Sequence, residues 1–127
     1  MKYVIGVLIL VVLAIGGFML LPNAEDTPSL TLSSIESDLA QGAKLIDVRT
    51  PEEYATGHAP GSVNLPLDSI FAGTKPSDDT STKVYVYCRS GNRSAQAAQK
   101  LRDLGFASIT DIGGLTDWQS LGGSLIQ

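Results

Sequence analysis

The sequence predicts an α/β domain with a mainly parallel central sheet and short flanking helices, preceded by one separate apolar helix at the amino terminus. Three observations carry this. From Leu30 onward, short apolar runs alternate with short segments of helical periodicity, joined by tight turns, as in chains whose helices cover the faces of a parallel sheet. Val84-Tyr85-Val86-Tyr87 is apolar without alternation, which suits a central strand buried on both faces. Tyr3 to Leu21 is apolar or glycine throughout, unlike anything that follows it.

As a helix that first run spans about 28 Å at ~1.5 Å per residue, close to the ~30 Å hydrocarbon core of a bilayer. An uncleaved signal-anchor over residues 1–24 is the leading reading. A cleaved signal peptide competes with it, although such apolar cores usually run ~7–15 residues and end at an A-x-A-like site. Here Pro22-Asn23-Ala24 puts proline where a small residue is wanted. A buried core helix is the third reading. No cysteine lies near the run, so a lipid-modified amino-terminal cysteine is excluded. Lys2 before the run, with Glu25 and Asp26 after it, places the remainder outside the cytoplasm. In a Gram-negative cell that compartment is the periplasm. Residues 25–29 form a polar linker containing Pro28, and residues 30–127 the domain.

Within that domain, Ser33-Ser34-Ile35-Glu36 has capping-box spacing and Gly42 supplies a stop, giving a first helix of about two turns. Leu45 to Val48 is a short apolar strand. Thr50 as N-cap, Pro51 at the first helical position and Glu53 three after the cap start a brief second helix, ending near Gly57. Ser62 to Leu65 reads as a strand closed by Pro66, followed by Leu67, Ile70 and Phe71 at helical spacing. Gly73 to Thr82 is a polar loop, with Asp78 and Asp79 at a solvated tip. After the strand Val84–Tyr87, a helix is expected from Ser94 to Leu104, with Ala97, Ala98, Leu101 and Leu104 on one side and Gly105 as its cap. Ala107 to Thr110 is a last short strand, and Leu115 to Leu121 a last helix anchored by Trp118.

The chain has 127 residues and a formal net charge of −4. This is enough for one ordinary domain plus an appendage. All 13 acidic residues, and every basic residue except Lys2, follow residue 24, so the domain is acidic and disfavours nucleic acid or anionic lipid as a partner. The single cysteine, Cys88, rules out a disulfide scaffold. In an oxidising compartment a lone thiol is either buried and inert or kept for its reactivity. Its neighbours favour reactivity.

Those neighbours are Arg89-Ser90-Gly91-Asn92-Arg93, between the most central strand and a helix start. Ligands in open α/β sheets gather beyond the carboxyl ends of the strands. A free thiol of pKa ~8.5 is only about 3% thiolate at neutral pH. Here backbone N–H groups, a helix N-terminus and two guanidiniums all favour the thiolate. Gly91 permits the positive φ that such a nest requires. Arg93 is the better placed to hold an oxyanion, whereas Arg89 is either a rim contact or merely solvated.

The loop Cys88 to Arg93 resembles the active-site loop of the rhodanese-like family, small thiosulfate-type sulfurtransferases. Two further segments resemble that family's signatures. One is Leu45-Ile46-Asp47-Val48-Arg49-Thr50-Pro51-Glu52-Glu53-Tyr54, running on through Gly57-His58-Ala59-Pro60-Gly61-Ser62-Val63-Asn64-Leu65-Pro66. The other is Gly113-Gly114-Leu115-Thr116-Asp117-Trp118. Ala59 stands where isoleucine is commoner in the family. The resemblance covers roughly residues 30–122 and implies a three-layer rhodanese-like fold. It implies that Cys88 carries a persulfide, with Arg89, Ser90, Gly91, Asn92 and Arg93 binding the substrate. A small sulfur anion is then the donor, and cyanide, a thiol or a protein the acceptor. No metal or organic cofactor is implied. Cysteine phosphatases, including the rhodanese-related type, have one residue more between cysteine and arginine, so a phosphoryl group is expected to be crowded here.

Asp47 and Arg49 are expected to support neighbouring loops as a buried ion pair, with direct substrate contact as the alternative. His58 is expected in a structural turn rather than as a general base. Tyr85 and Tyr87 are expected to flank the sheet. Two other functions stay open, a persulfide carrier or sulfide sensor that turns over poorly alone, and a thiol redox protein. A redox protein would lack a resolving cysteine.

Overall fold

Thr31, rather than Ser33, starts the first helix. Its Oγ1 accepts from Ser34 N at 3.1 Å, and Ser34 Oγ accepts in turn from Thr31 N at 3.1 Å. The reciprocal box therefore sits two residues before the expected one, leaving Glu36 inside helix α1 (Leu32–Ala40). The computed structural model describes residues 29–127. The expected membrane or signal helix over residues 1–24 lies outside them, and among the described residues no helix is long and apolar enough to cross a membrane.

After α1 come β1 (Lys44–Asp47), α2 (Pro51–Thr56), β2 (Ser62–Asn64), α3 (Leu67–Phe71), β3 (Val84–Tyr87), α4 (Asn92–Asp103), β4 (Ile109–Gly113) and α5 (Leu115–Ser120). The four strands form one sheet in the order β2-β1-β3-β4, with every pairing parallel. Lys44 pairs with Val84 and Asp47 with Tyr87. All four carboxyl ends therefore open on one edge of the sheet.

All four residues of β3 are buried, as its unbroken apolar run predicts. Period-two geometry sends Val84, Val86 and Cys88 to one face, where they pack with Ile70 of α3 and with Ala97, Ala98 and Leu101 of α4. Tyr85 and Tyr87 face the opposite layer with Ile35 of α1 and Trp118 of α5. Helices thus cover both faces, giving three layers. Trp118 is nearly fully buried, its Nε1 donating to Ser124 O at 2.8 Å.

Two boundaries differ from expectation in ways that matter for the site. β4 runs from Ile109 to Gly113 rather than from 107 to 110, because its partners on β3 lie further along. That brings Gly113 level with Tyr87. Helix α4 begins at Asn92, two residues before Ser94, with Gly91 as N-cap at φ 98°. A left-handed glycine lets the chain turn straight from the loop into the helix, so Asn92 and Arg93 belong to its first turn.

Candidate active site

The backbone of β3 delivers Cys88 to the carboxyl edge of the sheet, where its N–H donates to Gly113 O at 2.9 Å. The side chain is fully buried. Gly91, in its left-handed conformation, folds its N–H back onto Cys88 Sγ at 2.9 Å. Sγ also lies 3.5 Å from the Ser94 hydroxyl, in the first turn of α4. The sulfur is therefore held by groups of the loop itself and of the helix it feeds.

Burial pushes the Cys88 thiol up, but the Ser94 hydroxyl and the backbone N–H groups of Ser94, Gly91 and Ser90 outweigh it and hold the thiol below its ordinary value. The hydrogen bonds, rather than the flanking guanidiniums, carry this shift. Ser94 Oγ also reaches Gly91 O at 3.1 Å and Gly113 O at 3.3 Å. Its single proton can serve one acceptor at a time, so Ser94 can accept from a thiol or turn to donate to a thiolate.

Of the expected loop contacts, Arg89 and Ser90 are exposed at the rim. Their backbone is locked to the start of α5: Leu115 N donates to Arg89 O at 3.1 Å, and Ser90 bridges Gly114. Asn92 turns away along α4, its Oδ1 accepting from Gln96 Nε2 at 2.9 Å. Arg93, expected to be the better placed to hold an oxyanion, has its guanidinium already engaged by a carboxylate. Nη1 and Nη2 donate to Glu53 Oε2 at 2.7 Å and Oε1 at 2.9 Å, a bidentate pair across forty positions of chain. The Arg93 contact holds the Glu53 carboxyl down to about 2, against burial and with help from Thr50.

Asp47 and Arg49 lie beside the loop at the end of β1. They form a buried pair, with Arg49 Nη2 2.6 Å from Asp47 Oδ2 and 2.7 Å from Gly57 O. The Tyr87 hydroxyl donates to Asp47 Oδ2 at 2.7 Å and accepts from Ala59 N at 3.0 Å. Burial pushes that phenol up to about 12, so it remains a donor at neutral pH. Asn64 Nδ2 donates to Asp47 O at 3.0 Å and to Arg49 O at 2.9 Å, closing the turn. Within this network each charged group is already partnered by protein. His58 stacks on Tyr54, with ring centroids 3.8 Å apart, and its Nδ1 faces Tyr54 O at 3.0 Å. Its backbone pairs with Ile126, so the residue sits in a strapped turn.

Sequence reasoning did not single out Glu53 or Ser94 as site residues, and gave Tyr87 only a place beside the sheet. Glu53 was legible as a capping residue, but nothing along the chain announces a partner forty residues away. Ser94 carried a usable signal: a serine six residues after the thiol, at a helix start, lies within reach of that thiol.

Residues 31–121 match the family described as Rhodanese-like domain. The thiosulfate sulfurtransferase PspE of Escherichia coli (strain K12) is 39% identical over 75 residues, covering 57% of this chain and 70% of the relative. The putative sulfur carrier protein YrkF of Bacillus subtilis (strain 168) is 30% identical over 99 residues, covering 76% and 53%. The chain thus spans about half the length of YrkF, and 22%, 20% and 19% of three longer curated relatives. The structure of a human single-domain sulfurtransferase, TSTD1, superposes with a TM-score of 0.61 at 29% identity, covering 73% of this chain and 96% of that one. With its match across residues 31–121, this chain belongs to the rhodanese-like domain family.

Proposed function

We propose that this protein is a sulfurtransferase that moves a sulfane sulfur from thiosulfate or a similar donor to a thiophilic acceptor through a persulfide on Cys88. The observation that carries the reading is the Cys88 sulfur, lowered in pKa and held 2.9 Å from the Gly91 N–H at the head of α4. The Cys88 thiolate attacks the outer sulfur of thiosulfate; the S–S bond of the donor breaks and sulfite leaves with its electron pair. The new Cys88 persulfide anion sits in the same hydrogen-bonding cup, which suits a negative sulfur. Cyanide, or the thiolate of a small molecule or protein, then takes the outer sulfur and returns the Cys88 thiolate. No proton need move at Cys88 in either half-reaction.

Supplied with thiosulfate and cyanide, the purified full chain should release thiocyanate over many turnovers, and Cys88→Ser should abolish it. Absence of turnover with every sulfane donor tried overturns the catalytic reading. A second reading, a persulfide carrier serving a protein partner, is favoured by the likeness to the relative named as a sulfur carrier. A carrier should show an intact mass one sulfur atom heavier after a donor pulse, without multiple turnovers.

We also propose that residues 1–24 anchor the domain in the cytoplasmic membrane with residues 25–127 outside the cytoplasm. The uncharged run from Tyr3 to Leu21 and the charge asymmetry around it support this. Amino-terminal sequencing of the membrane fraction should begin at the initiator end; a start near residue 25 in a soluble extracytoplasmic fraction replaces the anchor by a cleaved signal.

A further inference from the structure

Arg93 projects from the first turn of α4, beside the loop that cradles Cys88. Both of its terminal nitrogens are taken by Glu53. The Glu53 carboxylate is itself fixed by its own helix cap, where Oε2, the oxygen that also accepts from Arg93 Nη1, accepts from Thr50 N at 2.9 Å and Thr50 Oγ1 at 3.1 Å. Two elements distant in sequence therefore clamp this pair. A second carboxylate, Asp68, lines the same small cavity of about 90 Å³ as Arg93, Thr50 and Arg49. Arg49 is neutralised by Asp47. Among the described residues, Arg89 is the loop's remaining guanidinium without a carboxylate partner.

We infer that Glu53 sets the charge of the donor this site accepts. By holding Arg93 as a neutral pair, it leaves backbone N–H groups and Arg89 to recognise the anion, and so favours donors with one negative charge over dianions. This rests on the sulfurtransferase reading above. A thiolate at Cys88 already supplies one negative charge, and the positive end of α4 offsets only about half a charge. A dianion such as thiosulfate brings two more. A thiosulfonate or a persulfide of a small thiol brings one at its reacting end. Glu53 acts through Arg93 and is a specificity-determining positioning residue.

Methanethiosulfonate and thiosulfate present the same transferable sulfur on a sulfonyl centre and differ by one charge, so their kcat/KM ratio reads the effect directly. Glu53→Gln removes the charge but keeps a residue suited to the third position of the α2 capping box. At low ionic strength, Glu53→Gln should raise the ratio of thiosulfate to methanethiosulfonate kcat/KM by roughly tenfold, mainly through a lower thiosulfate KM. The gain should fade in about 0.5 M salt, where unit charges are screened within a few ångströms. Glu53→Asp should leave the ratio near that of the wild type. An unchanged ratio in Glu53→Gln, or an equal fall in kcat for both donors, overturns the inference and leaves Glu53 a purely structural cap. If the wild type turns over neither donor, it is the sulfurtransferase reading that fails. The charge effect is then read from the rate ratio of iodoacetate to iodoacetamide at Cys88, which must rise in Glu53→Gln and overturns the inference if it does not.

Discussion

Gly114 lies against the carbonyl of Arg89: a Cβ built on Gly114 would stand 2.6 Å from Arg89 O and 3.0 Å from Ser90 Cα. Both of those atoms are backbone, so neither can swing aside as a side chain could. The carboxyl-terminal Gly113-Gly114 segment is therefore the mould against which the Cys88 loop sets. Gly114→Ala should cost about 1–3 kcal/mol through forced backbone movement. It should also depress turnover beyond its effect on folding, because the displaced segment carries the Gly91–Sγ contact. Urea unfolding beside steady-state kinetics at a temperature where the variant is folded checks this; normal turnover in Gly114→Ala refutes it.

Ser94 is the largest of the influences holding the Cys88 thiol low. Ser94→Ala should shift the apparent pKa of Cys88 alkylation upward. With less thiolate below that pKa, iodoacetamide should react several-fold more slowly at about pH 7, while the high-pH plateau stays unchanged. A pH–rate profile identical to the wild type would show that the backbone N–H groups suffice alone.

Glu53 is depressed to about 2 by its pair with Arg93. A carboxyl lowered in the folded state stabilises the protein above its unfolded pKa, and that contribution is lost as pH falls through the folded value. The stability advantage of wild type over Glu53→Gln should therefore be full at about pH 6, shrink below about pH 4.5 and vanish near pH 2. Both side chains keep about a third of their surface in water, 32% and 28%, so the advantage should not exceed about 1 kcal/mol. Thermal melts across that range measure it. A difference between wild type and Glu53→Gln that does not change with pH contradicts the assignment.

Asp47→Asn removes the partner of a guanidinium that is only 3% exposed. Stranding a buried charge costs about 3–5 kcal/mol. Tyr87→Phe, which deletes the hydroxyl donating to Asp47 and leaves Ala59 N without its acceptor, should cost about 1–3 kcal/mol. The two residues touch, so the double variant should lose less than the sum of the two singles. Denaturant titrations of the three variants provide the comparison, and strict additivity argues against a shared network.

Much of the fold was legible because its signals are local. The capping box at Thr50–Glu53 is complete within four residues, and the unbroken apolar run of β3 declares a strand with no solvent face. The thiol at the end of that strand was legible for the same reason. The bounds of β4 were not, since a strand's length is decided by what its neighbour offers in register. Nor was the start of α4, where Gly91 lets the helix begin as soon as the loop closes.

Order along the chain thus determined the α/β class, the central strand, the position of Cys88 at its carboxyl end and the turn chemistry beside it. Tertiary structure alone decided what surrounds that sulfur. It set Ser94 against it, Gly113 and Gly114 behind its loop, and Glu53 on the arginine expected to hold an oxyanion. The physical reason is range: caps and periodicity act over a turn or two, whereas charge is settled by distance in space. Residues 53 and 93, remote along the chain, meet at 2.7 Å.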